Sequence, residues 1–174
     1  AQWMQRHTVQ FHWHNQGWRD FDAFLASLQQ EKRKKIKQER RRVADAGVQF
    51  QALRGRDIGR AEWDFFYACY ERTYLEHGNA PYLSRSFFKA MADHMPENWL
   101  LLLGERNGLP MACSLIGLSD GTDSPGAAYG RYWGALERVD CLHFEACYYQ
   151  PLIWCLRNGV QRFEGGAQGE HKMA

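Results

Sequence analysis

The side chains with the clearest potential for chemistry lie near the end of the chain, where residues 164–172 read EGGAQGEHK. Glycines let a ligand approach the backbone closely, and the N–H groups of Gly165–Gly169 could stabilise an oxyanion. The polar residues between them can accept or donate protons. We predict catalysis by two of them, Glu170 and His171, and substrate binding by three, Glu164, Gln168 and Lys172. The alternative is a glycine-rich turn after a strand.

A second reactive group lies upstream and consists of His143, Glu145, Tyr148 and Tyr149. In a helix, Glu145 lies one turn from the two tyrosines. An amine that attacks an acyl carbonyl must lose a proton, which a carboxylate or imidazole can accept, and a tyrosine can return a proton to the leaving group. We predict Glu145 and Tyr148 to be catalytic and His143 and Tyr149 to bind substrate. The alternative is a structural helix with buried aromatic rings.

A basic block, EKRKKIKQERRR, runs from Glu31 to Arg42 and holds eight Lys or Arg against two Glu. The whole chain carries only +2, so the positive charge is local. Such a block can bind the phosphates of CoA, tRNA or an anionic lipid. We predict that the donor is bound by three of its residues, Lys32, Arg33 and Lys35. The alternative is a solvated helix with Glu31–Lys35 and Glu39–Arg42 pairs.

Residues 129–134 read YGRYWG, and strand alternation predicts that Tyr129, Arg131 and Trp133 share one face. Arg131 could then bind a carboxylate or phosphate through two hydrogen bonds. The alternative is a strand with ordinary aromatic packing. His12 and His14 also alternate, but the sequence offers no third ligand, so we predict no metal site.

The composition indicates a folded domain, with 45% hydrophobic and 14% aromatic residues. Five cysteines without a CxxC pair favour reduced thiols and a cytoplasmic location. No apolar run approaches the roughly 20 residues of a membrane-spanning helix.

Periodicity and capping residues predict the elements that must position these groups. Asp20 is expected to cap one long helix that runs through the basic block to Gly47. Further elements are expected as follows: a strand at 48–53, helices capped by Asp57 and Ser84, a hairpin turning at Asn107-Gly108, a strand at 127–134, a helix within 142–158 and a strand at 160–164. Pro151 requires that the last helix either kinks or begins near Gln150. This order predicts an α/β (α+β) fold, with a mixed, mostly antiparallel sheet flanked by helices.

Several stretches, taken together and in order, resemble the FemAB-like family of predicted N-acyltransferases, labelled peptidoglycan biosynthesis or recognition. They include Phe11-His12-Trp13, Phe21–Leu28 with the basic block, Pro81-Tyr82-Leu83, Tyr129–Gly134, Leu142–Gln150 and Gly166–Lys172. The resemblance implies a GNAT-like acyl-CoA N-acyltransferase fold and the C-terminal half of a longer protein. Residues 1–19 would then be the tail of an upstream element or a linker, and residues 20–174 an acyltransferase domain truncated at its C-terminal end.

The resemblance also implies transfer of an acyl or aminoacyl group, from acyl-CoA or aminoacyl-tRNA, to a small-molecule or peptide amine such as a cell-wall precursor. Many GNAT enzymes hold the CoA pyrophosphate on a glycine-rich turn at a helix N-terminus. The equivalent stretch here, ALERVD at 135–140, has no glycine, which favours aminoacyl-tRNA. The alternative function is a non-catalytic module that binds RNA or cell-wall peptide. The fragment could also be inactive without the remaining half of the protein.

Overall fold

The computed structural model describes residues 9–168, and the side chains of residues 10–166. Its strands are β1 (Val9–His14), β2 (Val48–Arg54), β3 (Trp99–Arg106), β4 (Leu109–Leu118), β5 (Ala127–Ala135) and β6 (Arg162–Gln168). They form one sheet in the order β1-β6-β5-β4-β3-β2. Among these six strands, β5 and β6 are the parallel neighbours and every other pair is antiparallel. The predicted mixed, mostly antiparallel sheet is therefore confirmed.

Helices cover both faces of the sheet. They are α1 (Phe21–Ala26), α2 (Gln30–Asp45), α3 (Arg60–Glu76), α4 (Arg85–His94), α5 (Leu142–Phe144) and α6 (Gln150–Arg157). In β3, Leu100 and Leu102 pack with α1, α2 and α6, while Leu101 and Leu103 pack with α3 and α4. Since both faces are covered, β3 is apolar without alternation, as is typical of a strand buried on both sides.

The predicted long helix from Asp20 to Gly47 is wrong, because α1 and α2 are separate. Asp20 caps α1 as expected, accepting a hydrogen bond from the Ala23 N–H at 2.8 Å. The helix then ends where the Ser27 hydroxyl donates to the Phe24 carbonyl at 2.6 Å. Serine competes in this way with helical hydrogen bonding, and α2 starts afresh at Gln30.

Of three other local signals in the sequence, the structure confirms two and contradicts one. Ser84 caps α4 as predicted, accepting from the Phe87 N–H at 3.1 Å, and Asn107-Gly108 turns the β3–β4 hairpin with φ of +54° and +74°. Asp57, by contrast, does not cap α3, because it lies in a 3-10 turn and Gly59 occupies the cap position. Ile58, which follows Asp57, is buried in an extended conformation, so the helix cannot begin there.

The last strand extends further than the sequence predicts. It runs through the glycines to Gln168, because it pairs with β1 in antiparallel register, with His12 opposite Glu164 and Val9 opposite Gln168. β1, which falls in the stretch expected to be a tail or linker, is thus an edge strand of the sheet. Gly165 and Gly166 lie within β6, at the point where its pairing with β1 is irregular between Gln10 and His12, and not in an open turn.

A bulge in β5 changes which side chains share a face. The register with β4 skips Arg131, since Ile116 pairs with Gly130 and Leu115 with Tyr132. Tyr132 packs against Tyr70 of α3, with ring centroids 5.2 Å apart, while Trp133 faces His143 on the other side of the sheet at 4.8 Å. The predicted shared face of Tyr129, Arg131 and Trp133 is therefore wrong for Trp133, because the extra residue shifts the alternation.

Candidate active site

β5 and β6 pair over three residues each and then separate. Their parallel register covers Ala127–Tyr129 against Arg162–Glu164, and beyond it β5 stays with β4 while β6 stays with β1. A cavity of about 150 Å³, here called the wedge, opens at this point. A Cβ placed on Gly130 would lie 3.6 Å from the Gly165 Cα, so backbone meets backbone where the strands separate.

Residues of β5, β6 and the helical segment that follows β5 line the wedge. Gly130 and Arg131 line it from β5, Gly165 from β6, and His143 and Cys147 from the helical segment that follows β5. The Arg131 guanidinium lies over the Tyr129 ring, 5.1 Å from its centroid. Glycine backbone on both strands allows a reacting group to approach the main chain closely.

A second cavity, here called the aromatic pocket, lies beside the same helical segment and measures about 270 Å³. Its aromatic walls come from four elements: Phe11 and Trp13 of β1, Phe24 of α1, and Phe144, Tyr148 and Tyr149 near α5 and α6. Lys32 and Lys35 of α2 line it with exposed side chains, and Glu39 lines it from one turn further along. The pocket is therefore apolar in its walls and charged along α2.

The segment between the cavities contains a π turn, Glu145–Tyr149, that joins α5 to α6. The Gln150 N–H bonds to the Glu145 carbonyl, five residues back. Pro151 has no N–H, so the next carbonyl, that of Ala146, lacks the corresponding donor. It accepts instead from the Ser114 hydroxyl of β4 at 2.5 Å. Of the two possibilities predicted for Pro151, the helix beginning at Gln150 is confirmed.

The buried polar side chains within residues 10–166 are Glu39, Ser114 and Glu145, and all three support this turn. The Glu145 carboxylate accepts from Arg40 Nε, at 3.2 Å to each oxygen, and from Gln150 Nε2 at 2.9 Å. Glu39 accepts from the Tyr149 hydroxyl. Neighbouring residues of α2 thus hold the turn by charge-assisted hydrogen bonds.

These contacts bear on the catalytic role that the sequence predicts for Glu145. Its carboxylate is 4% exposed, is engaged by Arg40 and Gln150, and lines neither cavity. Both carboxylate oxygens are therefore occupied by partners within the fold, away from either cavity. The geometry indicates that Glu145 positions the turn, and its predicted catalytic role stays a prediction.

The two tyrosines of the turn face the aromatic pocket and remain protonated. Burial raises the pKa of Tyr149 well above its usual range, and the carboxylate of Glu39 raises this pKa further. Burial likewise raises the pKa of Tyr148, whose side chain is 6% exposed. The Tyr148 hydroxyl and the indole N–H of Trp13, a residue 5% exposed, are buried without a hydrogen-bond partner within the described part of the chain.

The structure thus divides the predicted site residues between two cavities. Arg131 and His143 line the wedge, whereas Lys32, Lys35, Tyr148 and Tyr149 line the aromatic pocket. Glu164 lies outside both linings, 3.8 Å from His12 and 3.9 Å from Arg162 in ion-pair geometry. The side chain of Gln168 and the whole of Glu170, His171 and Lys172 fall outside the described residues, so their roles stay predictions.

Arg33 does not join the lysines that were predicted with it. Its guanidinium lies near the carbonyls of Ala26 and Leu28, at 3.5 and 3.4 Å, at the end of α1. A cation at this position satisfies carbonyls that the helix leaves unpaired. Arg33 therefore connects α2 to the end of α1 and lies outside the linings of both cavities, and its predicted part in donor binding stays a prediction.

The sequence reading missed Glu39 and Trp13 as parts of a site. Glu39 falls on the buried stripe of α2, between Ile36 and Val43. A carboxylate on the apolar stripe of a helix is unusual unless it is paired, and that was the available signal. Trp13 gave no comparable signal, because a buried tryptophan on a strand is ordinary.

The described residues show no metal cluster, no membrane-spanning helix and no disulfide. Within residues 9–168, no cluster of three or more His, Cys, Asp or Glu side chains has an arrangement suited to a metal ion. Over the same range, no helix has the length and apolar character needed to cross a bilayer. No disulfide joins any of the five cysteines, all of which are described.

Comparisons with known proteins give a family and a fold. Residues 1–174 match the FemAB_like family, described as peptidoglycan biosynthesis/recognition.

Among solved structures, L-PGS from Bacillus licheniformis is similar with a TM-score of 0.61 and 10% identity, over 92% of this chain and 45% of that one. The C-terminal domain (DUF2156) of a proposed lysylphosphatidylglycerol synthetase from Agrobacterium fabrum is similar with a TM-score of 0.53 and 12% identity, over 80% of this chain and 43% of that one. This chain spans less than half the length of either. The comparison with curated protein sequences gives no match.

Proposed function

The chain belongs to the FemAB_like family, and from that premise we propose that it is an N-acyltransferase domain with a GNAT-like fold. It would transfer an aminoacyl group from an activated donor to an amine of a cell-wall precursor. The observation that carries the proposal is the wedge, where β5 and β6 separate beside His143 and Arg131. An extended acyl group fits between two separating strands, where glycine backbone leaves room on both sides.

The reaction is a direct displacement. The acceptor nitrogen forms a bond to the donor carbonyl carbon, the bond from this carbon to the donor oxygen or sulfur breaks, and the nitrogen loses one proton. His143 is the proton acceptor that we propose, because it lines the wedge with an imidazole, a group suited to proton transfer near neutral pH. The predicted alternative is His171 with Glu170, which follow β6 in the sequence. Arg131 would hold a phosphate or carboxylate at the mouth of the wedge.

The local structure after β5 supports aminoacyl-tRNA over acyl-CoA as the donor. A pyrophosphate site of the GNAT type needs the N-terminus of a regular helix. Here α5 has three residues before the π turn, and Cys141, at its N-cap, makes no side-chain cap hydrogen bond. Four further cations of α2 that are exposed could instead follow a tRNA backbone: Lys34, Lys37, Arg41 and Arg42. Both donors are cytoplasmic compounds, so the proposal includes a cytoplasmic location.

The solved relatives add support of a limited kind. One of them is described as a lysylphosphatidylglycerol synthetase, a description that names an aminoacyl group joined to a phospholipid. A similar fold is therefore associated with aminoacyl transfer, although the identity of 12% carries the fold alone. The family description points to peptidoglycan as the source of the acceptor amine.

The test is a label-transfer assay with the purified protein. It is offered tRNA charged with radiolabelled amino acids or radiolabelled acetyl-CoA, together with a peptide that carries a free lysine or diaminopimelate amine. We expect alkali-stable label on the peptide from aminoacyl-tRNA. A His143→Ala variant should lose about a hundredfold or more in rate. His94→Ala, exposed on α4 across the sheet, is the matched control and should keep the rate.

The second candidate is a module that binds RNA without catalysis. The exposed cations of α2 favour it, because a basic helix can bind nucleic acid with no further machinery. It would be supported by RNA binding that weakens steeply with salt, together with no transfer of label from any donor. Label transfer that depends on His143 would exclude it.

A further inference from the structure

The aromatic pocket takes no part in the transfer step proposed for the wedge, yet two buried polar groups of its lining find no partner among the described residues. The Tyr148 hydroxyl and the Trp13 indole N–H belong to side chains that line the pocket and are more than nine-tenths buried. A buried donor without an acceptor destabilises the folded state by about 1–3 kcal/mol. Both residues line the cavity, but neither donor atom has surface open to it, so a ligand can accept from them only when the two side chains shift toward the pocket.

The side chains that line the pocket indicate the size and polarity of the rest of the ligand. Phe11 packs edge-on to Tyr148, with ring centroids 5.3 Å apart, and Phe24 packs edge-on to Trp13 at 6.2 Å. Ile36 and Leu152 complete an apolar lining. The volume of about 270 Å³ is at the lower limit for small-molecule pockets, so one chain or one ring fits.

The charges along α2 favour an anion. Lys32 and Lys35 are three residues apart on the side of the helix that lines the pocket, and both are exposed. The one acidic residue in the lining, Glu39, already accepts a hydrogen bond from Tyr149. The cations that do not line the pocket include Arg33 and Arg40, which bond to α1 and to Glu145.

We propose that the aromatic pocket binds an amphiphilic oxyanion, a single apolar chain or ring that ends in a carboxylate or phosphate. The aromatic walls cover its apolar body, Lys32 and Lys35 balance its charge, and Tyr148 and Trp13 donate hydrogen bonds to its oxygen atoms once their side chains shift toward the pocket. A phenol whose pKa is raised suits this role, because it stays a donor at every physiological pH. The site is separate from the wedge, so it stands whether or not the chain transfers acyl groups.

The test is a titration of the whole chain with four probes, decanoate, decyl phosphate, 1-decanol and inorganic phosphate, below their aggregation range. Calorimetry gives the affinity, and the fluorescence of Trp13 and Trp18 reports occupancy. We expect decanoate or decyl phosphate to bind about tenfold or more tightly than decanol or inorganic phosphate. The two charged probes distinguish a carboxylate from a phosphate ligand.

Matched variants locate the site. Lys32→Ala/Lys35→Ala should weaken the charged probes about tenfold and leave decanol unchanged, and Tyr148→Phe should weaken them by a similar factor. Lys34→Ala/Lys37→Ala removes the same charge from exposed positions of the same helix that do not line the pocket, and it should retain affinity. The proposal is overturned by decanol or inorganic phosphate binding as tightly as the charged probes, by equal losses in the control, or by no binding at all.

Discussion

The wedge and the aromatic pocket are built on one helical segment but by opposite means. His143 and Cys147, four residues apart, line the wedge, whereas Phe144, Tyr148 and Leu152 follow the same spacing on the side of the pocket. Large side chains enclose the pocket, whereas the wedge also includes glycine backbone from two strands. Side-chain walls select the body of a ligand, while glycine backbone allows a reacting group to approach closely. This difference supports our proposals of recognition in the pocket and chemistry in the wedge.

The largest expected effect separates the two cavities functionally. In the His143→Ala variant, label transfer should fall about a hundredfold or more, because the wedge loses the proton acceptor that we propose. Affinity for the charged decyl probe should stay within about twofold, because His143 does not line the pocket. Rate and affinity are measured on the same protein preparation. A parallel loss of affinity would mean that the cavities act as a single site.

The next prediction concerns the ion pair between Arg40 and Glu145, which supports the π turn that lies between the two cavities. Arg40→Met leaves the buried Glu145 carboxylate without its cation, and the free energy of unfolding should fall by about 2–3 kcal/mol, less than for a fully buried pair. Urea denaturation measures the change. Arg41→Met, at the exposed neighbouring position, should change stability by less than about 0.5 kcal/mol. Equal losses in the two variants would show that Arg40 acts only through the general charge of α2.

Replacing a glycine by alanine adds one methyl group, and we expect different effects at Gly165 and at Gly130. A Cβ on Gly165 would lie 3.0 Å from the Tyr148 ring and 3.2 Å from the Phe11 ring, both of which line the pocket. A Cβ on Gly130 would find ordinary contacts at 3.5–3.6 Å. We expect Gly165→Ala to weaken transfer and probe binding, each by about tenfold, and Gly130→Ala to slow transfer alone. Rate and affinity measurements on the two variants check this, and loss of probe binding in Gly130→Ala would contradict the separation.

The smallest expected effect concerns Tyr148 and pH. As pH rises above about 10, the unfolded chain loses its phenol protons first, while burial keeps Tyr148 protonated in the folded state. The folded state then binds more protons, so the free energy of unfolding falls as pH increases. Tyr148→Phe removes this contribution and should gain about 1 kcal/mol relative to the unmodified protein between pH 9 and pH 11.

Urea denaturation at the two pH values measures the gain. The same variant should be no less stable than the unmodified protein at pH 7, because it deletes a buried hydroxyl that has no partner among the described residues. It should nevertheless bind the charged probes more weakly. Stability and ligand affinity would then change in opposite directions, which a purely structural tyrosine would not produce.

The sequence predicted those elements whose signals are local. Asp20 predicted the start of α1, Ser84 predicted the start of α4, and Asn107-Gly108 predicted a hairpin, because each depends on a few neighbouring residues. The break after α1 was missed because Ser27 ends the helix by a hydrogen bond that its neighbours do not require.

The site was harder to predict because it depends on pairings between distant segments. The bulge at Arg131 exists only in the register of β5 with β4, and the glycines of β6 are ordered by β1, more than 150 residues earlier. Chemistry at residues 143–149 was expected, but the π turn and the pairing of Glu145 with Arg40 reassigned the roles of individual side chains. The division into two cavities follows from these contacts and has no local signature.

The π turn also has a consequence for how the sequence can change in length. A π turn holds one more residue than the α-helical turn it replaces, so it behaves as a single-residue insertion. Deleting one residue within 145–149 would rotate everything upstream, moving His143 away from the wedge, while α6 stayed in place on the sheet. It would also shift the carbonyl that Pro151 leaves without a donor, and the hydroxyl of Ser114 would lose its acceptor. We therefore expect a deletion within residues 145–149 to be tolerated only when residues 114 and 151 change as well.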